Sequence, residues 1–491
     1  MPVSTSDPAA AAVLPTPAVP TSISELSPAE NWALYQYYVG AFGGLIILLG
    51  LVRTVLGASN SSSKTAGAAR SNQAALSPEY LRFRRIYVLV YLIMMAADWM
   101  QGPYVYALYK HYGYGIADIG LLFIVGFGSS MVFGTLVGSA ADKFGRKKLC
   151  LVFGLLYSLS CLTKHVKSFE VLLVGRLLGG ISTSILFSSF ESWMVHEHHE
   201  AKYPEEWLGL TFSMCTTGNG IVAIGSGVVA SVVREAFGPV APFDVSLVFL
   251  VLGSLIVAFT WRENTGDSSV AFVGGLGNAW AKLLADRKII YLGVIQSFFE
   301  GAMYIFVFMW TPALEETAPW TGQLISHGWI FASFMICVLI GSTLFQQLLE
   351  RSVAVERSTF WMIVAAATSL LLPAYWPSHT VRLASFFVFE VCVGLFWPSL
   401  GFLRSRYVPE DCRATTMNFF RIPLNLIVVL VLYNIGSLST FQVFLLCVAV
   451  LLPALVCQGL LMRLVAREQA QQSNKGQYEG VPMVEKVPSS P

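Results

Sequence analysis

The chain has 491 residues, of which 55% are hydrophobic and 12% are charged, and its mean hydropathy is +0.63. Soluble globular domains contain about 25% charged residues, so this composition excludes a soluble protein. The net charge of +2 is too small to indicate a nucleic-acid partner, and no nucleic-acid-binding motif is present. Apolar runs of about 18 residues or more recur along the chain and are typical of helices that span a bilayer. We therefore predict an all-α polytopic membrane protein.

The predicted elements begin with a segment outside the bilayer. Residues 1–32 are rich in Ala, Pro, Ser and Thr and predict a disordered extracellular tail. A first transmembrane helix is predicted at 33–53, and a Ser- and Ala-rich cytosolic linker follows at 54–85. That helix is therefore an addition to a body of twelve predicted spans. The twelve spans are 86–109, 117–141, 148–165, 170–195, 210–234, 243–261, 288–312, 326–349, 358–377, 381–403, 414–436 and 441–463.

The twelve spans divide into two halves of six, at 86–261 and 288–463. A cytosolic loop at 262–287 joins the halves, and residues 464–491 predict a disordered cytosolic tail. Within the loop, four apolar residues recur at helical spacing, which predicts a short amphipathic helix on the bilayer surface. They are Leu276, Trp280, Leu283 and Leu284.

A weak internal repeat supports this division. Asp98 and Glu300 each lie twelve residues into the first predicted span of their half. The pair Gly138–Ser139 recurs as Gly341–Ser342, near the end of the second span of each half. Matches at a nearly constant offset indicate the parallel repeat of many secondary transporters.

The basic residues predict the orientation in the membrane. If residues 142–148 face the cytosol, strict alternation of the spans places 24 of the 31 Lys and Arg residues on the cytosolic side. Cytosolic loops carry the excess of positive charge in most membrane proteins. We therefore predict an extracellular N-terminus and a cytosolic C-terminus.

The segment 138–148 reads GSAADKFGRKK and carries five charges between two apolar runs. Gly145 permits a tight turn, and Asp142 is predicted to cap the following helix. The pattern resembles the signature loop between the second and third helices of the major facilitator superfamily. This resemblance implies a major facilitator fold of two six-helix halves plus one extra N-terminal helix. It also implies a gating role, as a cytosolic latch between the halves, for Gly138, Asp142, Gly145, Arg146 and Lys147. The alternative is that the loop only anchors the topology.

Other segments resemble one branch of that superfamily. The stretch VGRLLGG, which contains Arg176, resembles the superfamily's second motif. The stretches at 96–112, 188–198, 306–314 and 418–424 resemble the eukaryotic molybdate-anion transporters. The resemblance covers about residues 80–463 and implies that molybdate is taken up into the cell, across the cell membrane.

Ionisable residues inside the predicted spans are the candidate site residues. Each costs about 2.5–3.5 kcal/mol or more in the bilayer, so such residues are functional candidates. Asp98, Arg176, Glu300 and Glu390 lie on body helices one, four, seven and ten, which line the central cavity in the superfamily. Arg421 lies on the eleventh helix, either in the site or in a cytosolic gate. The alternative is that these groups form interhelix salt bridges.

Arginine suits a tetrahedral oxyanion because its planar fork donates two parallel hydrogen bonds and stays charged. Six residues form the predicted substrate site: Arg176, Arg421, Asp98, Gln101, Glu300 and Glu390. Further donors are Tyr104, Gln296, Tyr304 and Asn418.

We expect a secondary active transporter that imports molybdate by alternating access. A membrane potential of 100 mV opposes the entry of a dianion by about 4.6 kcal/mol. Coupling to protons is therefore predicted, with Glu300 as the carrier and Asp98 as its repeat-related partner. The alternatives are facilitated diffusion, anion exchange, transport of sulfate or a sugar, and a membrane sensor that does not transport.

No enzyme activity or cofactor is expected. The chain contains no nucleotide-binding loop and no nucleophile–base pair. The segment HEHHE at 196–200 departs from the zinc spacing HExxH, so no metal is predicted. The expected partners are the oxyanion, protons and the lipid bilayer.

Overall fold

The computed structural model describes residues 26–57, 76–265, 280–320, 324–409 and 413–479. These residues form α-helices and short 3₁₀ turns, without β-strands in the described ranges. The all-α polytopic fold predicted from the sequence is confirmed.

The helices of the first part of the chain begin and end close to the predicted spans. They are α1 (Pro28–Gly57), α2 (Pro78–Gln101), α3 (Val105–His111), α4 (Ile116–Phe144), α5 (Arg146–Thr163), α6 (Phe169–Leu186), α7 (Ser189–Glu200), α8 (Glu205–Phe237) and α9 (Ala241–Thr260). Ser77 begins α2 because its side chain accepts a hydrogen bond from the Tyr80 backbone N–H, and Pro78 suits the first helical turn.

The described residues of the second part of the chain form six long helices. They are α10 (Arg287–Glu316), α11 (His327–Glu350), α12 (Val355–Tyr375), α13 (His379–Tyr407), α14 (Arg413–Tyr433) and α15 (Thr440–Glu479). Asp286 caps α10 by accepting a hydrogen bond from the Lys288 backbone N–H at 2.8 Å. The predicted amphipathic helix of the inter-half loop lies partly outside the described residues. Residues 280–285 are helical, but Leu276 belongs to the part that is not described.

Eleven helical stretches of the described chain are long and apolar enough to cross a membrane. Each of the thirteen predicted spans lies on a helix, and the two that fall outside these eleven lie on α5 and α14. In α14 the apolar stretch is Phe419–Tyr433, which is shorter than a full span. The division of the chain into the predicted domains stays a prediction.

Two predicted spans are interrupted helices. A 3₁₀ turn at Gly102–Tyr104 separates α2 from α3, where Pro103 lacks the N–H that a continuous helix needs. The other interruption lies between α6 and α7 at Phe187 and Ser188. There the Ser188 hydroxyl donates to the Ser184 carbonyl oxygen at 2.7 Å, a back-bond of the kind that bends helices.

Among the described residues the two halves pack together mainly through two helix pairs, α4 with α14 and α8 with α11, with a smaller contact between α3 and α10. We name the end of the bundle predicted to face the outside the outer end, and the opposite end the inner end. The outer end carries the connections 112–115 and 164–168. The additional helix α1 packs on α11. Near the outer end its Tyr38 hydroxyl lies 2.9 Å from His379 Nε2, and Tyr35 donates a hydrogen bond to Glu235.

Candidate substrate site

The first half of the bundle holds its predicted site residues in fixed contacts. Tyr157 on α5 donates a hydrogen bond to Asp98 Oδ1 on α2 at 2.6 Å. Gln101 Nε2 donates to Ser246 Oγ on α9 at 3.0 Å, and that hydroxyl donates to the Ala97 carbonyl oxygen at 2.6 Å. These bonds tie α2 to α5 and α9, so both residues stabilise helix packing.

Arg176 on α6 lies against the surface of α4. Its Nε donates to the Leu122 carbonyl oxygen at 3.2 Å, and its guanidinium carbon lies 4.7 Å from the centre of the Phe123 ring. A Cβ atom on Gly126 would lie only 2.5 Å from Arg176 Nη2, so the guanidinium packs directly on the α4 backbone. The arginine is therefore engaged within its own half, although its side chain is only partly buried.

Glu300 lies near the middle of α10, where its side chain is buried and not fully hydrogen-bonded. It is 5% exposed, and its Oε1 atom has no hydrogen-bond partner among the described residues. Gln296, one turn earlier on the same helix, interacts with the Glu300 carboxyl group, and its own buried Oε1 atom has no partner among the described residues. Arg421 and Arg404 are the cations whose charges act on Glu300. One turn further along, the Tyr304 ring packs edge-on against Phe127 of α4, with 4.9 Å between ring centres.

Glu390 on α13 is 7% exposed. Within the described ranges it forms no hydrogen bond and no ion pair. It is therefore a second buried carboxyl group of the second half that lacks a fixed partner. Asn418 lies on α14, and its side chain is outside the described part of the structure.

Arg421 on α14 is the predicted site residue that faces the opposite half. Its side chain is exposed although α14 packs on α4. A Cβ atom on Gly134 of α4 would lie 3.6 Å from Arg421 Nη1 and 3.5 Å from Ser184 Oγ of α6. No ion pair joins Arg421 or Arg176 to Asp98, Glu300 or Glu390 in the described chain. Interhelix salt bridges therefore do not account for these five residues here.

The comparisons with known proteins agree with this architecture. Residues 37–395 match a model of the major facilitator superfamily described as sugar transporters with twelve transmembrane helices. The molybdate-anion transporter of Xenopus tropicalis is 36% identical over 412 residues, which are 81% of this chain and 90% of that protein. The molybdate-anion transporter of Danio rerio is 32% identical over 429 residues, which are 79% and 86% of the two chains.

The chain belongs to the major facilitator superfamily. Solved structures of other members share its fold at low sequence identity. The nucleoside transporter NupG has a TM-score of 0.60 at 14% identity and covers 77% of this chain and 99% of its own. The peptide transporter PepTSo has a TM-score of 0.63 at 11% identity, with coverage of 78% and 98%. The protein is thus a multi-pass membrane transporter and not an enzyme, and the comparisons support the cell membrane as its location.

The signature loop of this superfamily member is docked onto its own half. Arg146 donates a hydrogen bond to Asp142 Oδ1 at 2.8 Å, one helical turn away. The Lys147 ammonium donates to the Ala258 carbonyl oxygen at 2.8 Å. Gly145 has a φ of +108°, a backbone conformation that favours glycine. Gly138 lies inside α4, and the proposed latch between the halves stays a prediction.

The predicted helix cap by Asp142 is wrong. The backbone N–H groups of Lys147 and Lys148 donate to the carboxylate of Glu263, at 3.0 and 3.2 Å. Asp142 lies on the preceding helix, where its carboxylate binds Arg146 instead. Glu263 comes from more than a hundred residues further along the chain, so local sequence could not identify it.

Among the described residues, three hydrogen bonds join the two halves at the outer end, and a fourth contact, between Glu315 and His327, lies within the second half. Lys110 Nζ donates to Glu315 Oε2 at 2.7 Å, and Glu315 Oε1 lies 3.2 Å from His327 Nε2 on α11. The Tyr104 hydroxyl accepts a hydrogen bond from the Gly328 backbone N–H at 3.2 Å. The remaining bond joins the hydroxyls of Ser231 and Ser326. Tyr104, predicted as a substrate donor, therefore belongs to this outer closure.

The inner end contains a polar cavity of about 490 Å³. Its lining comes from α5, α7 and the interruption before α7, and includes Arg146, Ser188, Glu191 and His196. All of its lining residues belong to the first half, so the cavity lies within that half and not between the two halves.

Sequence reasoning missed four residues that lie beside predicted site residues or hold the signature loop. They are Tyr157, Ser184, Ser246 and Glu263. A tyrosine or serine inside an apolar run was a weak signal for each of the first three. Their partners lie on other helices, so only the folded structure identifies the pairs.

Proposed function

We propose that this transporter imports molybdate by alternating access, coupled to protons. The observation that carries the proposal is Arg421, an exposed guanidinium that forms no ion pair in the described chain and faces the opposite half. A planar guanidinium binds two oxygen atoms of a tetrahedral anion at once. Relatives at 32–36% identity are named molybdate-anion transporters, and this supports an oxyanion substrate.

The contacts at the outer end support alternating access. Lys110, Glu315 and His327 join the halves where an anion from outside would have to enter. Uptake therefore requires these contacts to separate. Because Lys110 and Glu315 come from different halves, a rigid-body movement of one half against the other breaks their bond directly.

Two buried carboxyl groups support proton coupling. A dianion that enters a cell with a negative interior moves against about 4.6 kcal/mol per 100 mV, so an importer has to bring cations with it. Glu300 and Glu390 lie in the second half without a fixed cationic partner among the described residues. Groups of this kind can exchange protons as the cavity changes sides. Asp98 is held by Tyr157, so we assign the carrier role to Glu300 first.

The test is uptake of labelled molybdate into vesicles that contain the purified protein. We expect accumulation that rises with an inward proton gradient and collapses with a proton ionophore. Tungstate, sulfate and xylose are the competitors. Inhibition by tungstate but not by xylose supports an oxyanion site, whereas uptake of xylose alone contradicts the proposal. Accumulation that is insensitive to the ionophore would refute proton coupling but not oxyanion transport.

A further inference from the structure

The wall of the first half that faces Arg421 is built from small and hydroxyl-bearing residues. Gly134 and Ser130 lie one turn apart on α4, and Ser184 lies beside them on α6. A Cβ atom on Gly134 would lie 3.6 Å from Arg421 Nη1 and 3.5 Å from Ser184 Oγ. The guanidinium of one half and the hydroxyl of the other therefore border the same small space, which glycine leaves unfilled.

The two serines form a short hydroxyl chain. The Ser184 hydroxyl donates to the Ser130 carbonyl oxygen at 2.8 Å. The Ser130 Oγ atom lies 3.2 Å from Ser184 Oγ, and either hydroxyl can be the donor. Because the Ser184 hydroxyl also has carbonyl acceptors at Ser130 and Gly180, Ser130 is free to donate in this contact. A bond of 3.2 Å between hydroxyls is long, so Ser130 can turn its proton toward a stronger acceptor such as an anion.

We propose that Ser130, Gly134 and Ser184 form the second wall of the anion site opposite Arg421, and that the missing side chain at Gly134 sets the size of oxyanion accepted. This inference rests on the proposed function, because it needs an oxyanion as the substrate. Arg421 supplies charge and two parallel N–H donors, and Ser130 supplies a neutral donor from the opposite side. An anion held between them contacts both halves.

The chemistry of the candidate anions makes the size dependence specific. Molybdate and tungstate are tetrahedral dianions that are larger than sulfate but carry the same charge. A methyl group on residue 134 would be at ordinary van der Waals distance from Arg421 and Ser184. It would therefore leave the helix packing intact and fill the space beside the guanidinium. The larger anions lose more room than sulfate does.

The experiment compares Gly134→Ala with Gly128→Ala. Both changes place alanine on α4, but a Cβ atom on Gly128 would meet nothing within 4 Å. We expect Gly134→Ala to raise the KM for molybdate about tenfold and that for sulfate much less, so that selectivity shifts toward sulfate. We expect Gly128→Ala to keep the wild-type values for both anions. Equal KM values in the two variants and in the wild type would overturn the inference while leaving the proposed function intact.

A binding measurement separates failure of the inference from failure of the function. The thermal stability of the purified protein is recorded with molybdate, tungstate or sulfate added, because a ligand that binds the folded state raises its melting temperature. If molybdate raises the melting temperature of the wild type and of Gly128→Ala but not of Gly134→Ala, the result supports the site even if vesicles show no uptake. A wild-type protein that none of the three anions stabilises or uses as substrate would overturn both proposals.

Discussion

The two halves of the bundle treat their ionisable groups differently. In the first half, Asp98 accepts a hydrogen bond from Tyr157, and Arg176 lies on the α4 backbone and the Phe123 ring. In the second half, Glu300 has a buried oxygen atom without a partner, and Arg421 is exposed without an ion pair in the described chain. Asp98 and Glu300, which lie on helices related by the predicted repeat, therefore differ: a hydrogen bond fixes the first, and the second keeps an oxygen atom without a partner among the described residues.

This difference indicates that the ionisable groups of the two halves have different roles, in transport and in stability. A buried polar atom without a partner costs about 1–3 kcal/mol, so it persists where function requires it. A polar group with a good partner contributes to stability instead. We therefore expect substitutions of Glu300 and Arg421 to impair transport with little loss of stability, and substitutions of Asp98 and its partner Tyr157 to do the reverse.

The largest effect is expected for Glu300→Gln. Glutamine keeps the size of the side chain but cannot carry a proton, so accumulation of molybdate driven by a proton gradient should fall at least tenfold. Exchange of labelled for unlabelled molybdate across vesicles should continue, because it needs no net proton movement. Asp98→Asn is the matched variant in the first half, and we expect it to keep gradient-driven accumulation. Loss of accumulation in both variants to the same degree would erase the contrast between the halves.

The second largest effect is expected for Arg421→Lys, and Arg176→Lys is its comparison in the first half. Arg421→Lys keeps the charge but loses the planar fork, so the KM for molybdate should rise about tenfold. Arg176→Lys changes a group that is already bonded to the Leu122 carbonyl oxygen. The KM of that variant for molybdate should therefore rise less than threefold. Uptake recorded at a series of molybdate concentrations gives both KM values. A larger increase for Arg176→Lys than for Arg421→Lys would move the anion site to the first half.

The fold could be predicted from the sequence because bilayer spans are encoded locally. Hydropathy identified helices at all thirteen positions, and the GSAADKFGRKK segment indicated the superfamily. The partners could not be predicted in this way. Tyr157, Ser246 and Glu263 are distant in sequence from the groups that they bind, and apolar surroundings give no sign of the pairing. The interruption before α7 was missed because neither Phe187 nor Ser188 is a helix-breaking Pro or Gly.

The third prediction concerns the stability of the first half. Tyr157→Phe removes the hydrogen bond to Asp98 and leaves a partly buried carboxyl group without its donor, so we expect a loss of roughly 1–2 kcal/mol. Asp98→Asn should cost a similar amount, and the double variant should cost less than the sum because the two side chains share one bond. Thermal unfolding in detergent is the measurement. Strictly additive effects would show that the bond contributes little.

The smallest effects are expected at the inner end, where Glu263 and Asp142 can be compared directly. Glu263 accepts hydrogen bonds from two backbone N–H groups at the first turn of α5, where a negative charge also meets the positive end of the helix dipole. Among the described residues Asp142 binds only Arg146, and because its side chain is 38% exposed, solvent screens that pair. Glu263→Gln should therefore lower stability by about 1 kcal/mol, and Asp142→Asn by less than about 0.5 kcal/mol.

If Asp142 also acts as a latch with the second half, Asp142→Asn should slow uptake severalfold despite this small loss. Slower uptake in Glu263→Gln but not in Asp142→Asn would instead show that the loop acts through its fold, with Glu263 as the residue that holds it.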